Sequence, residues 1–181
     1  MKKLTILYIA GILLGSMASC TDDFEEINTN PNSVDKPNPN FVFSKAQLDG
    51  LNNNYFFTNI LECGGLIQHY ATYKEASGVG DKYLSNEVYF SAYFNQAYPT
   101  GITETQIVID ALKNSPVDSN RFNIARIWKA YLYHKLTDLY GDIPYSEASK
   151  ANSTQVFLPK YDSQEFIYKD LLKELDEAAA A

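Results

Sequence analysis

The feature that most constrains the fold is an apolar stripe with a marked end. Ala125, Trp128, Leu132, Leu136 and Leu139 recur every three or four residues, and Ile124, Tyr131 and Lys135 widen the flank. That spacing puts one face of a helix over residues 120–140 against a core. Gly141 follows where a left-handed C-terminal residue is favoured, and Pro144 comes soon after. A second helix is expected from Asp162, with Glu165 completing a capping box. Ile167, Leu171 and Leu175 line its inner face, beside Tyr168 and Leu172. The sequence ends on four alanines with no Gly, Asn or Pro stop signal, so the helical array reads as incomplete at its C-terminus. Two long helices roughly forty positions apart suggest helix–turn–helix repeats, although they share no clear sequence identity.

The rest of the chain from Phe41 also reads as helical, which makes the expected class all-α. Ser44 is placed as the cap of a helix through Ala46, Leu48, Leu51 and Phe56. The apolar stretch from Ile60 to Tyr73 is interrupted by Gly64-Gly65, a kink or a short turn. Residues 77–86 read as a loop. Glu87 to Tyr98 reads as a helix, with a strand as the alternative. Thr103 to Lys113 is a helix pairing Ile107 with Ala111 and Ile109 with Leu112, ended by Ser115-Pro116.

The N-terminus has a different logic. Lys2 and Lys3 precede an uncharged apolar run, Leu4 to Met17, and then small Ala18 and Ser19 before Cys20. As a helix the run spans about 21 Å, short of the roughly 30 Å bilayer core. Residues 1–19 are therefore expected to be a lipoprotein signal peptide. Cys20 would then be the lipidated first residue, with acyl chains as the membrane anchor. Residues 20–40 read as an acidic, Asn- and Pro-rich tether, able to reach about 65 Å when stretched. Loss of Lys2 and Lys3 would take the net charge from −7 to −9. Such a surface argues against nucleic acid as a partner. Cys63 is the one later cysteine and reads as a buried small hydrophobe.

Catalytic motifs are missing. His69 and His134 are the two histidines, far apart in sequence, and no CxxC, HExxH, GxSxG or phosphate-binding glycine loop occurs. No carboxylate pair sits in the apolar setting that would separate two pKa values. The expectation is a binding protein, not an enzyme, with no cofactor and no metal. The fourteen tyrosines and ten phenylalanines matter more. A tyrosine has an apolar face and a hydrogen-bonding tip, which suits a helix core and a sugar platform equally. Tyr70, Tyr73, Tyr83, Tyr89, Tyr93, Asn95 and Tyr98 are the best group for such a platform, with His69 beside it. From these, His69, Tyr70, Tyr73, Tyr89, Tyr93 and Asn95 are taken as candidate ligand contacts. Trp128, on the apolar stripe, is assigned to the core.

Two segments then carry a resemblance. SCTDDFEEINTNPN at the start, and RIWKAYLYHKLTDLYGDIPYSEA from Arg126 to Ala148, resemble the SusD/RagB family of outer-membrane lipoproteins, in its starch-binding-associated group. The resemblance implies tetratricopeptide-like helix pairs in a right-handed α-α superhelix, with residues 41–181 as the N-terminal part of that domain. It makes Tyr140 to Tyr145 the structural turn between two helices. It also implies a lipoprotein on the outer face of the outer membrane. That protein would capture oligosaccharides or peptides for a TonB-dependent SusC-type transporter. Family members are several hundred residues long, so much of the site is expected beyond Ala181. No binding residue carries over by motif. The rival expectations are a tetratricopeptide-like scaffold for a protein partner and a surface hydrolase lacking its catalytic part.

Overall fold

A computed structural model describes residues 37–51, 54–73 and 80–181. The expected signal peptide (1–19), the lipidation site Cys20 and most of the tether lie outside the described residues. The described part is all-α apart from one minimal ladder. Helix α1 is Pro39–Gly50, and α2 is Phe56–Cys63, which runs on into a turn at Gly64–Leu66. Helix α3 is Glu87–Ala97, α4 is Thr103–Leu112 and α5 is Ser119–Tyr140. Strands β1 (Ile143–Pro144) and β2 (Tyr161–Asp162) flank the short α6 (Ala151–Thr154), and α7 is Gln164–Ala180.

Helix α5 forms as the stripe predicts. Ala125, Leu132 and Leu136 are buried, and Trp128 and Leu139 pack at the edge of the core. The buried surface is wider than one stripe, because Ala130, Tyr133 and Thr137 are buried too. One flank receives α1, where the Trp128 indole donates to the Ala46 carbonyl at 3.3 Å. Gly50 faces this contact, where a Cβ would lie 2.7 Å from Leu132 Cδ2 and force the Leu132 and Trp128 side chains to shift. The other flank receives α7 in antiparallel register. Arg126 reaches Glu174 at 2.9 Å and Glu177 at 2.7 Å, and the Tyr168 hydroxyl meets Asp138 a few turns away. The inner face of α7 is Ile167, Leu171 and Ala178, and Leu175 is displaced outward. On α4 the buried residues are Thr105, Gln106, Val108 and Leu112, so the expected Ile107–Ala111 face is on the outside.

Two boundaries differ from expectation. Helix α1 begins at Pro39, inside the expected tether, because Asn38 accepts from the Asn40 amide at 3.0 Å. Ser44 is not a cap: its hydroxyl donates to the Asn40 carbonyl within the helix. Helix α7 is capped by Ser163, which accepts from the Phe166 amide at 3.3 Å. Asp162 is taken up instead by the ladder, in register with Ile143, and accepts from the Ser146 amide at 2.7 Å. At the end of α5 the Gly141 amide donates to the Thr137 carbonyl at 2.8 Å. Its φ of +71° with ψ of −119° is open to glycine and strained for other residues. No helix among the described residues is long and apolar enough to cross a membrane.

Candidate ligand-binding groove

Helices α2 and α3 are fastened together by one threonine. The Thr58 hydroxyl donates to the Tyr89 carbonyl at 2.6 Å and accepts from the Tyr93 amide at 3.3 Å. Asn86 starts α3 by accepting from the Val88 and Tyr89 amides. This attachment sets the two helices side by side and stacks Phe57 on Tyr89, with centroids 5.4 Å apart and planes 22° apart.

An open groove of about 670 Å³ runs along that seam. Val88, Tyr89, Ala92, Asn95, Gln96 and Pro99 line it from the α3 side, and Asn54 and Phe57 from the α2 side. The α3 residues recur at helical spacing, so one face of the helix lines the groove. Three side-chain amides stand around the ring pair, and the Asn54 and Gln96 amides hydrogen-bond to each other. The groove thus offers a flat apolar floor with amide donors and acceptors at its edge. That combination suits a ligand with C–H faces and hydroxyl rims.

The expected contacts divide. Tyr89 and Asn95 line the groove. Tyr93 does not: its ring is 1% exposed and packs edge-on to Tyr55 at 5.3 Å, so its assignment as a surface contact is corrected to core. His69 and Tyr70 lie on the turn after Gly64–Leu66, where the His69 amide donates to the Gly64 carbonyl and Tyr70 covers Gly64. Tyr73 is almost fully exposed nearby, and the Thr72 amide holds Asp81 at 2.8 Å. None of His69, Tyr70 and Tyr73 lines the groove. Tyr98 is half-buried and donates to the Pro144 carbonyl at 2.7 Å.

Phe57, Gln96, Asn54 and Pro99 are lining residues that the sequence reading missed. Phe56 was expected on the buried face, and it is half exposed. Helix α2 opens at Phe56, with hydrogen bonds one residue longer than in an α-helix, and Phe57 stands in the seam. The adjacent Phe56-Phe57 pair was the available signal. Cys63 is half-buried, and burial together with neighbouring Glu62 pushes its thiol pKa up, away from reactivity. Among the described residues, no group of three or more His, Cys, Asp or Glu could hold a metal ion.

Residues 31–181 match the SusD-like family described as "starch-binding associating with outer membrane". The chain belongs to this SusD-like family. Its fold superposes on a solved chitin-binding protein with a TM-score of 0.69 at 33% identity, over 78% of this chain and 30% of that one. It also superposes on a Bacteroidetes protein described as AC2a SusD-like, with a TM-score of 0.66 at 31% identity, over 80% of this chain and 26% of that one. This SusD-like chain therefore spans less than a third of the length of either solved relative. No curated protein sequence matches it.

Proposed function

We propose that this SusD-like chain is the N-terminal part of a surface lipoprotein that binds an oligosaccharide and passes it to a SusC-type, TonB-dependent transporter. The observation that carries the binding step is the stacked Phe57–Tyr89 pair with amides at its rim. A pyranose would lay its C–H face on the Tyr89 ring and exchange hydrogen bonds with Asn95 and Gln96. The family description and the chitin-binding relative support a carbohydrate over a peptide. The role in this reading is capture, not cleavage, which the family's description as starch-binding supports. Cys20 would carry the acyl chains, and two or more such chains hold a protein on a membrane stably. The residues between Cys20 and the Asn38 cap would connect that anchor to the helical body.

Calorimetric titration of the chain with chito-oligosaccharides and malto-oligosaccharides, beside Tyr89→Ala, tests this reading. Loss of a stacking ring is worth on the order of 1 kcal/mol, or about fivefold to tenfold in affinity. Saturable binding by one series, weakened to that extent in Tyr89→Ala, is expected. Binding that ignores the substitution would move the site elsewhere. Absence of any saccharide binding, with retained capture of the transporter, would favour the scaffold reading. Radiolabelled palmitate incorporated by the chain, and lost in Cys20→Ser, checks the anchor.

A further inference from the structure

The groove along α2 and α3 lacks one chemistry that the chain has elsewhere in quantity. All nine of its lining residues among those described are uncharged. Their polar groups are three side-chain amides, the Ser91 hydroxyl and the Tyr89 phenol. A cavity against α5 and α7 shows the contrast, with Arg126, Lys129, Asp170 and Glu174 in its lining.

The shortage of cations extends beyond the lining. No Lys or Arg occurs between Lys45 and Lys74, or between Lys82 and Lys113, and these stretches supply both helices. The charged residues they do contain are acids, among them Glu62 and Glu87. Glu62 is fully buried, and Glu87 stands in the first turn of α3 outside the lining. Helix α5 brings Lys135 towards the pair of helices. Its ammonium lies 4.0 Å from the centre of the Tyr55 ring and 4.9 Å from that of Tyr93, and it does not line the groove.

A lining of this kind sorts saccharides by charge. Amides and hydroxyls both donate and accept, so they meet sugar hydroxyls in either sense. A carboxylate or sulfate at the seam gives up hydration and meets no cation in the described lining. The face of the Tyr89 ring is the negative side of its quadrupole and repels an anion laid on it. The net charge of −7 adds a field of the same sign at longer range. We propose that the groove selects uncharged oligosaccharides and excludes acidic ones, those carrying uronate or sulfate groups. The inference rests on the groove being the saccharide site and adds the class of glycan that it admits.

The test is calorimetric titration with maltotetraose and chitotetraose, beside the same tetrasaccharides oxidised at C6 to uronates and the methyl esters of those uronates. Binding of a neutral tetrasaccharide is expected, weakened in Tyr89→Ala. Its oxidised form should bind at least tenfold more weakly, and the ester, which restores neutrality on the same carbon, should recover most of the loss. Ser91→Lys places a cation in the lining and should raise the affinity of the oxidised form at least fivefold, a gain that fades as salt is added. An oxidised form that binds as tightly as the neutral one, with Tyr89→Ala weakening both, would overturn the charge selection and leave the groove as the saccharide site. Equal weakness of the oxidised and esterified forms would assign the loss to the missing hydroxyl and overturn it too. Neutral binding that ignores Tyr89→Ala, or no binding of any probe, would remove the groove reading and this inference with it.

Discussion

Replacing Tyr93 with phenylalanine should make the protein more stable. The Tyr93 ring is 1% exposed, and its hydroxyl is buried with no hydrogen-bond partner among the described residues. Burial pushes the phenol pKa well above its usual range, so the group stays neutral. A buried donor left unsatisfied costs about 1–3 kcal/mol. Phenylalanine removes that cost and keeps the edge contact to Tyr55 and the ring 4.9 Å beneath the Lys135 ammonium. Two small losses oppose the gain. One heavy atom of packing disappears, and phenylalanine is a slightly poorer cation–π partner. The net expectation is about 1 kcal/mol of added stability, or roughly 2–4 °C in Tm for a chain of this size. Urea unfolding followed by Trp128 emission should show a higher midpoint at an unchanged slope. Saccharide binding in the groove should be retained, since only Tyr89 and Asn95 of the expected contacts reach it. A destabilisation of 1 kcal/mol or more would mean that the hydroxyl is paired. Intact stability with lost saccharide binding would return Tyr93 to the ligand site.

Substitutions at three further positions probe the frame of the fold. Gly141→Ala should cost about 1–3 kcal/mol although a Cβ there meets nothing within 4 Å. Gly141→Asn should not rescue it, because ψ of −119° lies outside the left-handed well that asparagine tolerates. Arg126→Ala should cost about 1–2 kcal/mol in urea unfolding, by leaving Glu174 half-buried without its partner on α5. Glu62 is fully buried, and burial raises its carboxyl pKa against the Asn86 amide. Its raised pKa means that the folded chain keeps a proton the unfolded chain has lost. Stability is therefore fully present below the ordinary value of 4.5 and falls as pH rises above it. Glu62→Gln should remove that part of the decline in a pH series of urea midpoints, and a parallel decline in both proteins would refute the assignment.

The parts of the fold legible in the sequence are those that use many residues to say one thing. The α5 stripe repeats over five positions and ends in Gly141, so its existence and its end were both readable. The misses occurred where one residue decides. Asp162 and Ser163 are adjacent and both suit a cap, and the Ser146 amide settled the choice by claiming Asp162 for the ladder. Two-residue strands carry no alternation to read, so β1 and β2 had no pattern. The helix expected through Leu51 to Phe56 ends at Gly50, and a phase carried across that end at 3.6 residues per turn put Phe56 inward and left Phe57 unnoticed. The groove was half legible for the same reason. Tyr89 and Asn95 share one α-helical face, while Phe57 arrives from a segment about thirty residues away.

The tyrosine content has a structural explanation that narrows the ligand question. Many of the hydroxyls act as struts between elements. Tyr140 donates to the Phe90 carbonyl at 2.6 Å and accepts from the Phe94 amide, tying α5 to α3. Tyr98 reaches the Pro144 carbonyl, Tyr145 reaches Asp170, and Tyr168 reaches Asp138. Each such residue gives the core a large apolar ring and brings the partner its tip requires. A helical array of modest size can use such rings both to fill space and to tie its helices together. Aromatic abundance therefore does not locate a sugar site in this chain. The proposed site rests instead on the exception, a stacked ring pair beside amides along an open seam. Among the described residues that description fits Tyr89 on Phe57. The Trp128–Tyr131 stack also has nearly parallel planes, but it lies on α5, with its indole committed to the Ala46 carbonyl.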